Sequence, residues 1–111
     1  MLARTYRLRK NSDFQRLYKT AKRFATPNLV LYYMPSNLDY SQIGFVVSKK
    51  VSKSAVRRNS LRRRASGIVE ELYKDIKKPQ KIIVLIRKDF AELKPEQLKN
   101  EVKNLFRGVV D

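Results

Sequence analysis

The feature that most constrains the fold is the near-continuous apolar run at residues 81–86, KIIVLI. The run is short and rich in β-branched side chains, which predicts a strand, and it lacks the alternation typical of a strand with one solvated face. We therefore expect other elements to cover this strand on both faces. Because 111 residues supply one compact core, we expect residues 1–111 to form a single domain.

Two further segments have the composition of strands. Residues 29–34 (LVLYYM) and 43–48 (IGFVVS) flank a polar, turn-like segment at 35–39, so we predict that they pair as a hairpin. A shorter extended piece at Lys22–Ala25 is expected to precede them at an edge of the sheet.

Three helices are predicted around these strands. Residues 12–15 (SDFQ) have the form of a capping box and predict a first helix over about 13–19. Ser54 suits the cap of a long second helix that should end near Lys77. The apolar stripe of this second helix consists of Leu61, Ala65, Ile68, Leu72 and Ile76. Pro95 suits the first turn of a closing helix, and Gly108 is expected to end it.

The element order is therefore αβ(β)βαβα, with the short strand in parentheses. This order predicts an α+β fold in which a small, mostly antiparallel sheet packs with three helices. The closing helix should direct four side chains inward, namely Leu98, Val102, Leu105 and Phe106.

Positive charge is concentrated in the first two thirds of the chain. Lys and Arg number 26 against 10 Asp and Glu, and residues 1–69 hold 16 of the cations but only 2 of the carboxylates. Residues 40–69 hold eight cations and no carboxylate. Such an uncompensated field predicts a polyanionic partner, and we infer a nucleic acid.

Five arginines crowd the N-terminal half of the second helix: Arg57, Arg58, Arg62, Arg63 and Arg64. Cations at a helix N-terminus oppose the helix dipole at a cost of up to about 1 kcal/mol each. Bound phosphate relieves this cost through bidentate arginine contacts and backbone N–H groups. The pattern therefore favours a phosphate-binding helix over a merely solvated one.

Aromatic side chains form a second cluster. Phe14 and Tyr18 are one helical turn apart, and Tyr32 and Tyr33 are adjacent on a strand, so the two strand tyrosines point to opposite faces. Aromatic rings beside cations can stack on single-stranded bases. Spacing alone does not separate this function from ordinary core packing.

The residues that usually cleave RNA are missing. The chain has no His and no Cys, and its carboxylates are scattered rather than clustered. We therefore predict no catalytic residue and no metal site in this chain. Without cysteine, a signal segment or a long apolar run, we expect a cytoplasmic protein that is not in a membrane. The remaining classes are a ribosomal or general RNA-binding protein, an unselective anion-binding domain and, least favoured, an autonomous ribonuclease.

Several motifs resemble those of the bacterial ribonuclease P protein family. Residues 47–51 (VSKKV) and 55–63 (AVRRNSLRR) look like the family signature, in which a strand ending in Ser-Lys-Lys leads into a helix opening with Arg-Asn-Arg. Residues 7–15 (RLRKNSDFQ) match its N-terminal pattern, and residues 81–88 (KIIVLIRK) match its last strand. The resemblance covers nearly the whole chain, in order.

This resemblance implies a function for both clusters. In the family, a cleft between the first helix and the sheet receives the single-stranded 5′ leader of precursor tRNA. The implied leader contacts are Phe14, Tyr18 and Tyr32, with Ser48 and Lys50 nearby. The family's Arg-Asn-Arg helix faces the RNA subunit, which implies that role for Arg58, Asn59, Arg62 and Arg63, with Arg57 and Arg64 beside them.

The resemblance also implies the nature of the whole assembly. The protein would join the catalytic RNA, expected at 1:1, and hydrolysis that depends on Mg²⁺ would take place in the RNA subunit. The fold would contain a left-handed βαβ crossover, against the generic right-handed preference. Three positions depart from the family pattern: Ser60 and Ser66 replace helix cations, and Val46 replaces a frequent strand serine.

Overall fold

A computed structural model describes residues 2–110. After a 3₁₀ turn at Arg4–Tyr6, the chain forms α1 (Asn11–Thr20), β1 (Lys22–Ala25), β2 (Leu29–Pro35), β3 (Gln42–Val47), α2 (Ala55–Tyr73), β4 (Gln80–Ile86), α3 (Pro95–Leu105) and a short α4 (Arg107–Val110). The predicted α+β class with three longer helices and a small sheet is confirmed, and the short strand at Lys22–Ala25 is present.

The four strands lie in the order β1-β2-β4-β3. Strand β2 is antiparallel to β1 and to β4, whereas β3 is parallel to β4. The predicted hairpin of β2 with β3 is therefore wrong, because β4 lies between them. Residues 81–84 are all buried: β2 and β3 pair with the two edges of β4, and helices cover both of its faces. An apolar run of this kind is typical of a central strand, which the hairpin prediction did not take into account.

The hairpin in this sheet joins β1 to β2 instead. Its turn is closed by the N–H of Thr26, which donates to the carbonyl of Leu29 at 2.8 Å. The carboxylate of Glu101 on α3 accepts further hydrogen bonds from the Thr26 hydroxyl and from the backbone and side chain of Asn28. Helix α3 thus fixes the turn that presents β1.

Helices cover both faces of the sheet. On one face, α2 and α3 pack through Leu61, Ala65, Val69, Leu98, Val102 and Leu105 onto the main core. On the other face, α1 packs through Leu17 onto Ile83, with Leu8 beside them in a smaller cluster. The strand tyrosines divide as predicted, since Tyr33 packs on the main core and Tyr32 on the smaller cluster.

Helix α1 does not begin with the predicted capping box. Lys10 occupies the N-cap position, no side chain caps the helix, and Ser12 lies inside the first turn. Asp13 instead accepts a hydrogen bond from the Nζ of Lys81 at 3.0 Å. A buried ammonium requires a charged partner, and Asp13 in the first turn of α1 supplies it for Lys81.

The ends of the other helices refine the prediction. The hydroxyl of Ser54 accepts a hydrogen bond from the N–H of Arg57 at 3.2 Å, so the predicted cap is confirmed. Helix α2 ends at Tyr73, before Lys77, and continues as a turn. Gly108 is not a helix stop, because the chain turns at the fully buried Phe106 and Gly108 lies in α4. The handedness of the β3–α2–β4 connection stays a prediction.

Candidate nucleic-acid interface

Helix α1 lies across the sheet from β3 toward β2. Phe14, near its start, contacts Gly44 of β3, and Tyr18, one turn later, contacts Tyr32 of β2. Between them, α1 packs on β4. The helix therefore divides this face of the sheet into two open areas.

The strand register defines both areas. Beneath α1 lies a row of register partners on one face: Gly44, Ile83, Tyr32 and Arg23. Two residues further along β3 and β4 lies the outer row, formed by Val46, Leu85 and Val30. Two residues in the opposite direction lies the inner row, formed by Gln42, Lys81 and Met34.

Phe14 sits where the sheet offers no side chain. A Cβ built on Gly44 would stand 2.7 Å from Cζ of Phe14, closer than two carbon atoms approach. The ring is half-buried against the cluster of Leu8 and Leu17. A glycine inside a strand often marks the close approach of another part of the chain, so Gly44 could have indicated this contact from the sequence.

Tyr18 and Tyr32 meet edge to face, with ring centroids 5.1 Å apart. Tyr18 remains 45% exposed, so much of its ring is accessible to a partner. Partial burial raises the pKa of the Tyr18 hydroxyl, and neighbouring Tyr32 raises it further. The hydroxyl is therefore a neutral hydrogen-bond donor at physiological pH.

Together these side chains form what we call the aromatic face: Phe14, Tyr18, Tyr32, Val46 and Leu85. Phe14 and Tyr32 pack on the smaller cluster and are half-exposed as well, so packing and accessibility coexist. The position of Val46, where the family often has serine, makes this part of the face apolar. The face can bind planar, partly apolar groups such as nucleobases.

Ser48 and Lys50 lie at the edge of the aromatic face. They follow β3 directly, in an exposed turn in which the N–H of Val51 donates to the Ser48 carbonyl at 3.1 Å. The guanidinium of Arg58 donates to the carbonyl of Ser52 at 2.8 Å and so ties this turn to the start of α2. A hydroxyl and several cations thus follow the end of β3, two residues and more beyond Val46, while Asn59 is half-buried one position further along α2.

Arg57 is held by a carboxylate that sequence reasoning treated as a scattered loop residue. Its Nε donates to Asp89, which follows β4, and Asp89 also accepts from the N–H of Ala91 at 2.9 Å. The hydrogen bond from Arg57 lowers the pKa of the Asp89 carboxyl, and the same pairing raises the pKa of Arg57. No sequence signal connected these residues, which are 32 positions apart.

Arg64 is directed toward the loop between β4 and α3. Its Nη2 donates to the carbonyl of Leu93 at 2.8 Å, and its Nη1 lies 3.3 Å from the carbonyls of Phe90 and Ala91. Its guanidinium also lies 5.5 Å from the centre of the Phe90 ring. These contacts give Arg64 a structural function, whatever it contributes to binding.

Arg62 and Arg63 complete the predicted set. Arg63 is exposed and has no hydrogen-bond partner within residues 2–110. Arg62 is half-buried, and its shielded Nε lacks an acceptor in the same part of the chain. Ser66, one turn further, is 1% exposed, so this departure from the family pattern lies on the buried side of α2. Ser60 is exposed.

The structure thus brings together most of the predicted residues. The three aromatic residues share one face, and Ser48, Lys50 and Arg58 adjoin it through the turn at residues 48–52. Arg57 and Arg64 are instead engaged by the loop that follows β4.

Two further searches bear on function. Within residues 2–110, no group of three or more His, Cys, Asp or Glu side chains is arranged to hold a metal ion. None of the helices in that range combines the length and the apolar character needed to cross a bilayer.

Comparisons with known proteins agree on one family. The family model described as Ribonuclease P matches residues 2–110. The ribonuclease P protein component of Clostridioides difficile (strain 630) is 36% identical over 109 residues, covering 94% of this chain and 91% of the relative. The component from Pseudanabaena sp. (strain PCC 6903) is 35% identical, covering 96% and 92%.

Solved structures agree with the fold. The RNase P protein of Staphylococcus aureus superposes with a TM-score of 0.83 at 29% identity, covering 96% of this chain and 98% of the other. The RNase P protein from Thermotoga maritima superposes with a TM-score of 0.82 at 29% identity, covering 93% and 96%.

Proposed function

The chain belongs to the ribonuclease P protein family, and on that premise we propose that it binds both the catalytic RNA and the 5′ leader of precursor tRNA. Family membership connects the chain with tRNA processing in a ribonucleoprotein. The finer assignment, of leader and RNA subunit to separate surfaces, is our proposal.

The observation that carries the leader assignment is the aromatic face. Three half-exposed or exposed rings lie beside the outer row of the sheet, and exposed Ser48 and Lys50 follow Val46 of that row along the chain. Stacking of a base on an aromatic ring contributes about 1–3 kcal/mol, and it tolerates different sequences. The surface therefore suits a single strand whose sequence varies from one tRNA precursor to another.

The RNA subunit is assigned to the exposed side of α2. Arg58, Asn59, Arg62 and Arg63 lie within two turns of one helix, and no carboxylate precedes Glu70 on that helix. Arg57 and Arg64 belong to the same surface but are partly occupied by the loop after β4. A rigid row of guanidiniums suits the closely spaced phosphates of folded RNA.

We assign the chemistry to the RNA subunit. The protein supplies no group of metal ligands within the described range and no histidine or cysteine in its sequence. In this scheme Mg²⁺ bound by the RNA supports phosphodiester hydrolysis at the mature 5′ end. The protein binds the leader and screens the negative charge of the RNA by neutralising phosphates. It favours precursor over product because only the precursor retains a leader. We propose one protein per RNA, acting in the cytoplasm.

Cleavage of precursor tRNA by the cognate RNA at low Mg²⁺ tests this proposal. With the protein present, we expect cleavage to continue at Mg²⁺ concentrations where the RNA alone is inactive. The protein without RNA should leave the substrate intact. Absence of stimulation would contradict the proposal, and cleavage by the protein alone would indicate an autonomous nuclease.

Leader length separates this function from general RNA binding. The assembled enzyme should bind a precursor with a leader of several nucleotides more tightly than one with a single-nucleotide leader. A general RNA-binding protein would raise the affinity for both substrates equally. Replacement of Tyr18 by Ala, at a position 45% exposed, should reduce this preference and leave affinity for the RNA subunit unchanged.

A further inference from the structure

A polar cavity lies on the opposite side of α1 from the aromatic face. It has a volume of about 480 Å³ and is lined by Arg7, Arg9, Lys10, Asn37, Tyr40 and Lys81, among others. Lys81 belongs to the inner row of the sheet, so α1 and its Phe14 contact separate this cavity from the outer row. None of the surfaces assigned above includes it.

The charge in this cavity is strongly unbalanced. Four cations line it against one carboxylate, that of Asp13, and this carboxylate is already bonded to Lys81. Arg7 donates from its Nε to the carbonyl of Leu2 at 2.8 Å, and its other donors have no side-chain or carbonyl partner within residues 2–110. The side chains of Arg9 and Lys10 find no acceptor in the part of the chain that the structure describes. The cavity therefore favours an anion.

Lys81 gives the strongest sign that an acceptor belongs here. The residue is only 8% exposed, and the ion pair with Asp13 compensates part of this burial. Its ammonium has three donors, and only one of them has a partner within residues 2–110, namely Asp13. Two donors on a buried cation thus remain to be satisfied from the cavity that it lines.

The remaining wall supplies groups that suit a nucleotide rather than a free anion. Tyr40 lines the cavity and stacks edge to face with Tyr6 at 5.6 Å between centroids. Tyr6 in turn lies 5.2 Å from Tyr73, whose hydroxyl is fixed by the Ser41 carbonyl at 2.6 Å. Tyr40 is thereby held in place, and the side-chain amide of Asn37 offers a donor and an acceptor nearby.

We propose that this cavity is a second RNA site, which takes one phosphate-bearing nucleotide of single-stranded RNA. The phosphate binds among Arg7, Arg9 and Lys81, and the base lies toward Tyr40. The inference rests on the proposed function, because it requires RNA to be the partner. A nucleotide of the precursor leader and an unpaired nucleotide of the RNA subunit share this chemistry, and the experiment separates them.

The first experiment compares Arg9→Gln with Lys103→Gln in the assembled enzyme. Both positions are exposed and both variants remove one positive charge, but Lys103 lies on α3, on the other side of the sheet. We expect Arg9→Gln to weaken RNA binding by about three- to tenfold and to reduce the salt dependence of that binding by about one phosphate contact. Lys103→Gln should leave both quantities unchanged. A loss seen only with long leaders identifies the leader, and a loss of affinity for the RNA subunit alone identifies that subunit.

Cross-linking provides a direct readout. The chain has no cysteine, so Leu38→Cys introduces a unique thiol at the cavity wall, where an aryl azide can be attached. We expect ultraviolet cross-links to a defined nucleotide, and Lys103→Cys serves as the control.

The second site would be overturned if Leu38→Cys cross-linked no better than Lys103→Cys and Arg9→Gln bound both RNAs like the control. The proposed function fails by a different result, namely absence of stimulation by the unmodified protein at low Mg²⁺. The two failures are therefore distinguishable.

Discussion

The ring of Phe14 occupies the space that a side chain on residue 44 would fill, with Cζ 2.7 Å from the position of a Cβ on Gly44. Leu8 stands 3.3 Å from the same position, so an added methyl group is crowded on that side as well and cannot move away from the ring. We expect Gly44→Ala to destabilise the protein by about 1–3 kcal/mol, as overpacking does. Urea unfolding gives the stability, and precursor affinity should fall as well because Phe14 belongs to the aromatic face.

Gly67→Ala is the matched control for this variant. Gly67 lies in the middle of α2, and an added Cβ there meets nothing within 4 Å. Removing a helical glycine should stabilise the protein by about 0.5–1 kcal/mol. If both glycine variants changed stability in the same direction, the steric account of Gly44 would be wrong.

Two neighbouring arginines on α2 should separate stability from binding. Arg64→Gln loses hydrogen bonds to the carbonyls of Phe90, Ala91 and Leu93, which should cost about 1–3 kcal/mol of unfolding free energy. Arg63→Gln removes the same charge from an exposed side chain and should leave stability within about 0.5 kcal/mol.

Affinity for the RNA subunit should instead fall more in Arg63→Gln than in Arg64→Gln. Arg63→Gln is expected to lower the salt dependence of binding by about one phosphate contact. A larger effect on salt dependence from Arg64→Gln, in variants confirmed to be folded, would show that the loop contacts of Arg64 are exchanged for RNA.

The carboxylate of Asp89 already bonds the guanidinium of Arg57, so in the proposed complex it would compete with RNA for this side chain. Asp89→Asn should therefore tighten binding to the RNA subunit by about two- to fivefold at low salt, since one further phosphate contact becomes available. Glu92→Gln removes the same charge from the same loop. Equal gains from the two variants would mean that only the overall field has changed.

The ion pair of Arg57 with Asp89 predicts that the stability of the fold depends on pH. Because Arg57 lowers the pKa of Asp89 in the folded protein below its ordinary value of 3.8, the pair stabilises the fold when the carboxyl is ionised. This contribution should be complete above about pH 5 and should disappear as the pH falls through the folded-state pKa. The contribution is measured as the difference in unfolding free energy between the native protein and Asp89→Asn at pH values across this range. In proteins that also carry Arg57→Gln, this difference should vanish.

Patterns over a few residues predicted the elements well. The cap at Ser54, the helix beginning at Pro95 and the short strand at Lys22–Ala25 depend on nearby residues, and all three are present. The opposite directions of Tyr32 and Tyr33 follow from the strand period and are confirmed as well.

Features that depend on distant partners could not be predicted. The hairpin of β2 with β3 was a local interpretation, and it is wrong because β4, a later segment of the chain, lies between these two strands. Asp13 binds Lys81, 68 positions away, and no local pattern indicated this partner. The engagement of Arg57 and Arg64 likewise depends on a loop that only the tertiary fold brings to α2.

The placement of β4 has a consequence for how the chain is made. This strand enters the sheet between β2 and β3, although translation produces it after both of them. Until residue 86 has been added, the row beneath α1 is incomplete, and long-range strand pairing of this kind forms late and slowly. A nascent chain rich in arginine and lysine therefore lacks an ordered platform while it grows beside ribosomal RNA. The surface that we propose for the leader is therefore complete only once β4 lies between β2 and β3.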